Sequence, residues 1–412
     1  MLRELRENAF AQHLALGIPT TKDEEFKYTS LRGLTESAYY IQAGPAQISA
    51  EDLAQFSYGD LDQIRVVFVN GYFSEELTTS LQGFVGVEIR TLDCALDNRQ
   101  EVVETYLGKL AKTDESTFAA LNMATFTGGV YVHLARNARV DKPIHFLNIT
   151  AVDPNGAVSY TAPRTLIIAE EGAEASFIET YATVGKGKTF SNAVTEVYVA
   201  PNANIEHVKV QQESLDAYHI ATCEVKQERD STYRHYNVTY GGRLTRNDIN
   251  VFLNGSNLHT RMDGIVVIDG EQLADNHTRL DHAFPHCDSF EVYKHVLGGH
   301  STGVFNGKIF VHQDAQKTDA KQTNNTILLS ERATINSKPQ LEIFADDVKC
   351  THGATVGQLD KDPMFYLQSR GIPRDKAEAM LVYAFAADIL ERIENRQLVD
   401  RLEAMLYEKL GS

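Results

Sequence analysis

The sequence predicts a mainly β protein, a parallel β-helix with helical segments at both ends, and three observations carry that expectation. From about Asn122 to Gly357, short runs rich in Val, Ile, Thr, Tyr and Phe alternate with turn residues, and no amphipathic helical pattern interrupts them. Asn and Gly recur at the ends of these runs, at Asn192, Asn202, Asn204, Asn254, Gly255, Asn306 and Gly307, and both residues tolerate the left-handed backbone of a sharp bend. Apolar residues at helical spacing stand instead in the opening residues and after Pro373.

Residues 1–121 read as an α/β or mainly helical domain. Leu2, Leu5, Ala9 and Phe10 fall on one helical face, and the run Ile64 to Asn70 reads as a strand entering the turn Asn70-Gly71. Residues 122–357 read as the β core, with strands at Gly129 to Leu134, Pro143 to Thr150, Thr165 to Ala169, Ala175 to Thr180, Thr195 to Ala200, Asn204 to Gln211, Thr232 to Thr239, Asp248 to Leu253, Gly264 to Ile268 and Lys308 to His312. A propeller, a pair of sandwiches or a solenoid can hold so many consecutive strands. The lack of a fixed repeat disfavours a propeller, and the Asn and Gly positions suit the corners of an irregular β-helix. Residues 358–412 form a helical domain in which Leu381, Phe385, Ile389 and Ile393 make one stripe and Leu398, Leu402, Leu406 and Leu410 a second. These helices serve either to cap the open end of the solenoid, whose last coil would expose unpaired edges, or to dock a partner.

A formal net charge of -17 over 412 residues gives a surface that repels phosphate backbones and anionic lipid, so neither nucleic acid nor membrane is an expected partner. No apolar run reaches the roughly 20 residues of a membrane span and the N-terminus lacks a signal-peptide core, which predicts a cytoplasmic protein. Cys94, Cys223, Cys287 and Cys350 are scattered without C-x-x-C pairing and read as reduced thiols.

The densest chemistry lies at Asp346 to Gly357. If Leu341 to His352 is one strand, Cys350 and His352 share a face, where a thiol and an imidazole can meet one metal. Zinc or an iron-sulfur cluster needs about four donors, so another coil, another chain or a substrate must supply the rest; a buried thiol beside a hydrogen-bonded histidine is the plainer alternative. His282, His286 and Cys287 could converge in a turn around Pro285, or satisfy corner groups. Gly185 to Thr189 (GKGKT) imitates the tail of a phosphate-binding loop, but Ala182 stands where that loop needs Gly, and the stretch reads as a basic hairpin. Asp346 and Asp347 are neighbours and on a strand would face opposite sides, unlike the paired acids of a glycosidase. There is no Trp for sugar stacking.

The stretch Lys308 to Gly371, with QTNNTILLSERA and DDVKCTHGATVGQLD within it, resembles the core shared by SufB and SufD, scaffold proteins of the SUF iron-sulfur cluster assembly system. GIPTTKDEEFKYTSL (Gly17 to Leu31) and FAALNMATFTGGVYVHLARNARVDKPIHF (Phe118 to Phe146) are similar to the SufD side of that family, so the resemblance covers essentially the whole chain. SufB typically reads His-Glu-Ala where His352-Gly353-Ala354 stand, and carries a sulfur-accepting cysteine where this chain has Thr323-Asn324-Asn325-Thr326; both departures point to SufD.

The resemblance implies a right-handed parallel β-helix between N- and C-terminal helical domains. It implies a non-catalytic scaffold that pairs with SufB through the β-helices, carries the SufC ATPase on its C-terminal region, and shares a transient iron-sulfur cluster with SufB, with no cofactor held tightly by the isolated chain, which could form a homodimer. His352 matches the histidine that helps ligate the nascent cluster at that interface, and Cys350 the neighbouring cysteine. A SufB-like paralogue, a carbohydrate-active β-helix enzyme and a purely structural subunit are the competing readings.

Overall fold

The computed structural model describes residues 2–42, 44, 46–59, 61–153 and 158–411. Two sheets coil around a shared interior, the chain passing from one to the other at each corner. The first sheet has 11 strands. Its path begins with Val87–Thr91 and runs through Gly129–Leu134, Arg164–Ala169, Thr189–Val199, Ala217–Glu228, Leu244–Asn254, Leu273–His282 and Thr302–Val311 to Thr334–Ile343. The second has 10 strands, from Tyr72–Phe73 and Ile64–Val69 through Ile144–Ala151, Glu174–Val184, Asn204–Gln212, Thr232–Thr239, His259–Ile268, Asp288–Leu297 and Asp319–Leu328 to Lys349–Gly357. Every pairing after the first strand of each path is parallel. This is the parallel β-solenoid that the sequence predicts.

The coil has a length but no repeated sequence. One inward column of the second sheet reads Phe177, His207, His235, Met262, Glu291, Gln322 and His352, spaced 27 to 31 residues apart. That uneven step, with unlike residues on each rung, hides the repeat. Between the sheets, Val132, Phe146, Phe177, Val197, Ile205, Val225, Val251, Leu280 and Ile309 form the apolar core. The strands read in advance all lie in these ladders. Missing from that reading, besides short strands such as Val87–Thr91 and Val158–Thr161, are Ala217–Glu228, Leu273–His282, Asp288–Leu297, Asp319–Leu328 and Thr334–Ile343, whose inward positions carry His219, Asn276, His295, Asn324 and Ser337 and so break the apolar alternation.

The corners correct the choice of bend residues. Of the seven Asn and Gly positions, Asn202 alone has left-handed backbone; the others with positive φ are residues such as Asn137, Asp230, Asn257, His286 and Lys317. Asn192 lies inside a strand, and its amide donates to Phe118 O at 3.0 Å. Gly185 to Thr189 is not a hairpin but the corner between Glu174–Val184 and Thr189–Val199, strands of different sheets, and no helix follows it.

Helix Leu2–Leu16 packs on helix Thr117–Thr125 with Ala9 buried, while Phe10 is exposed and not on the buried face. The buried Arg164–Glu196 ion pair, 2.6 Å, ties this region to the first sheet, since Glu196 also accepts from the backbone N–H groups of Gly108, Leu110 and Ala111. At the other end of the chain, helices Arg374–Leu390 and Arg396–Gly411 and the turn between them bury Val382, Ala386, Ile389, Ile393, Leu398, Leu402 and Leu406 against Ile178, Val208, Tyr236, Val238 and Ile265. The first of the two expected stripes is rotated, with Leu381 and Phe385 at its half-buried margin. These helices lie along the outer flank of the second sheet and do not cap the open end. Arg392, 2.8 Å from buried Asp263, and Lys294, which donates to Phe385 O at 2.6 Å, fix them there.

Candidate functional site

The terminal strand Lys349–Gly357 pairs with Asp319–Leu328 on one side and, among the described residues, with no strand on the other. Leu341 to His352 is therefore not a single strand: Thr334–Ile343 ends the first sheet, a turn carries Asp346 and Asp347, and the terminal strand ends the second. The two acids are exposed in that turn, where Asp347 pairs with Lys317.

Cys350 and His352 are in register with Ala320 and Gln322, both buried, so the pair lies on the inward face of the coil. On earlier rungs that face is sealed by the rung above. Here nothing follows, and the two side chains meet different surroundings. Cys350 is half-buried against the core, and burial pushes its thiol up, which keeps it protonated at neutral pH. His352 is exposed at the rim, and a Cβ placed on Gly353 would meet nothing within 4 Å. Among the described residues, no further Cys, His, Asp or Glu joins the pair as a three-donor group. One chain therefore offers two donors on one face at an open edge, the half-site that the spacing implies.

Directly beneath, the interior is polar. Gln322 donates to Glu291 at 2.7 Å, and burial raises the Glu291 carboxyl to about 7. Asn324 joins His295 at 2.9 Å to Ser337 at 2.9 Å, across the two sheets.

The other candidates do not converge. His282 is buried with Nε2 2.9 Å from Ser289 Oγ, and burial depresses it to about 4. Cys287 fills a corner and donates to Gly255 O at 3.1 Å, with its thiol pushed up to about 11 by burial. His286 is exposed, in left-handed backbone. All four cysteines are free. A groove of about 850 Å³ on the first sheet is lined by Tyr106, Lys109, Glu224, Lys226, Glu228 and Asn250. Glu224 and Glu228 each accept a hydrogen bond from an Asn of the next rung, at 2.7 and 2.9 Å, so they are ladder partners and not a free acid pair. Missing from the sequence reading is a buried group inside the spiral, His207, Cys223 and His235. Only the register of three strands brings it together, and no short motif could have signalled it. No helix among the described residues is long and apolar enough to cross a membrane.

Comparison with known proteins shows the family of the chain. Residues 150–385 match the family described as SUF system FeS cluster assembly, SufBD core domain, and residues 1–146 match the SufBD protein N-terminal region. The chain is 33% identical over 397 residues to an iron-sulfur cluster assembly SufBD family protein of Synechocystis, covering 94% of this chain and 86% of that protein. It is 32% identical over 399 residues to the iron-sulfur cluster assembly protein SufD of Escherichia coli (97% and 91% covered), and 26% identical over 424 residues to SufD of Bacillus subtilis (98% and 93% covered).

Proposed function

The chain belongs to the SufBD family of iron-sulfur cluster assembly proteins, on its SufD side, and from that premise we propose that it is a non-catalytic scaffold subunit whose terminal coil is completed by a SufB-type chain. The observation that carries this reading is the terminal strand: paired along one edge only, exposed except at half-buried Cys350, with an imidazole and a thiol on its inward face. A second β-helix end placed against it would satisfy the free N–H and C=O groups and add the donors that Cys350 and His352 lack. The nascent cluster is cargo. Imidazole holds iron less tightly than thiolate, so a cluster held in part by His352 can be released.

The C-terminal region supplies a second docking face, for a SufC-type ATPase. Helix Lys361–Ser369 exposes Phe365 and Tyr366, and Met380 and Tyr407 are exposed on the two helices that follow. Such apolar exposure beside a packed flank marks an interaction surface.

His352→Ala in a reconstituted complex with SufB- and SufC-type subunits tests the reading. The complex should form normally while iron and sulfide recovered after anaerobic assembly fall at least several-fold; His286→Ala, exposed on an earlier corner, should match wild type. Unchanged iron and sulfide in His352→Ala would remove the ligand role and leave a structural subunit.

A further inference from the structure

The interior of the spiral holds donors that the rim does not use. His207 on Asn204–Gln212, Cys223 on Ala217–Glu228 and His235 on Thr232–Thr239 offer two ring nitrogens and a sulfur that all lie within 4.8 Å of one another. Two come from the second sheet and one from the first, so the group bridges the coil. The imidazoles meet edge-on at 81°, with ring centroids 4.8 Å apart.

Protein contacts leave this group incompletely satisfied. The Tyr233 hydroxyl lies 3.1 Å from His207 Nδ1 and 3.4 Å from His235 Nδ1, and it also bonds Cys223. Nε2 of His235 is nevertheless buried with no hydrogen-bond partner among the described residues, a costly state for a polar atom. On the far side of His207, Glu179 Oε2 stands 3.2 Å from Nε2. A carboxylate on one nitrogen of an imidazole is what orients a histidine whose other nitrogen binds metal.

We propose that His207, Cys223 and His235 form a structural zinc site inside the spiral, with the Tyr233 hydroxyl as fourth ligand and Glu179 orienting His207. Two imidazoles and a thiolate are donors that zinc accepts in tetrahedral geometry. With bonds of about 2.0 Å to nitrogen and 2.3 Å to sulfur, the donors would stand about 3.3–3.5 Å apart, so the group draws in by up to about 1.5 Å on binding. Cys223 loses its thiol proton to solvent as the Zn–S bond forms. Because the residues are closed off from solvent, the ion enters while the chain folds and then staples the two sheets. The site is independent of the rim and of any partner chain.

The test uses the full chain. Expressed with zinc and washed with chelator, it should keep about one zinc per chain; refolded with Co²⁺ alone, it should show the near-ultraviolet thiolate-to-cobalt absorption of a tetrahedral site. Cys223→Ser should lose that band, His235→Gln should retain at least tenfold less metal, and His352→Ala should keep both signals, which separates this site from the rim. Circular dichroism reports whether each variant folds. If the variants do not fold, the wild-type cobalt spectrum decides alone. Wild-type protein without retained zinc or a thiolate band overturns the site, and so does folded Cys223→Ser with undiminished metal.

Discussion

The two ends of the spiral are built from the same coil and treated in opposite ways. At the start, Ile144–Ala151 is buried at every position. Ile64–Val69 covers it, and the antiparallel strand Tyr72–Phe73 ends that edge at the Asn70-Gly71 turn. In the first sheet, Val87–Thr91 pairs antiparallel to Gly129–Leu134 and does the same. At the finish, Lys349–Gly357 has no fully buried residue. Even there the two sheets differ. The last strand of the first sheet carries Pro339, which lacks an edge donor, and Lys338, both devices that discourage strand addition. The terminal strand of the second sheet has no proline. The edge is thus closed at one end of the spiral, and at the other it is blunted on one sheet and left free on the other.

If that contrast is right, equivalent truncations should have unequal costs. Phe146 is 1% exposed and stacks on Phe177 with ring centroids 5.9 Å apart, so Phe146→Ala should cost about 3–5 kcal/mol of unfolding free energy. Val356, on the inward face of the terminal strand but 53% exposed, has little to lose, and Val356→Ala should stay within about 0.5 kcal/mol. Denaturant titration of both variants checks this, and similar costs would erase the distinction between the ends.

The edge itself can be blocked without harming the coil. Lys349 N–H donates to Thr318 O at 2.8 Å, and backbone groups alternate in direction along a strand. The N–H groups of Cys350, His352, Ala354 and Val356 therefore face the free edge. Ala354→Pro removes one of those donors and no ladder bond. The variant should melt within about 1 kcal/mol of wild type and fail to bind a SufB-type chain by size-exclusion chromatography; retained binding would show that the partner does not pair with this strand.

The sequence made some of this legible and hid the rest for physical reasons. Strands with apolar inward residues, such as Gly129–Leu134 with Val130, Val132 and Leu134, were readable; several whose inward positions hold Asn, His or Gln were not, because those side chains satisfy one another across the interior, as Asn324 does with His295 and Ser337. The Cys350 and His352 pair was legible because two residues on one strand share a face at any register. The flanking position of the C-terminal helices was not, since an apolar stripe shows that a helix is covered and not by what. The interior donors depend on register alone, which a step of 27 to 31 residues conceals.

A smaller effect concerns how the N-terminal segment reaches towards the open end. Glu24–Phe26 lies against the outer face of the first sheet, where Glu24 pairs with Lys338 of the last strand and Arg246 donates to Glu25 O at 2.7 Å and stacks on Phe26. Thr29 donates to Asp275, and Asn306 to Glu25. His277 joins the two layers, 3.1 Å from Glu25 and 2.9 Å from Asp275. Burial alone would depress this imidazole and nearby Arg246 opposes its charge, but the hydrogen bonds to Asp275 and Glu25 prevail and hold it at about 9. A folded value above the unfolded one means that the contribution is complete below about 6.5 and disappears as pH rises through about 9. Hydrogen exchange of residues 20–36 should therefore quicken between pH 7 and pH 10 beyond the intrinsic rate, while the melting transition of the β-helix changes little. His277→Gln should start from the faster state and lose most of the added pH dependence. If it keeps the wild-type profile, the latch rests on Arg246 and Lys338, and the segment stays at the last coil whatever the charge on His277.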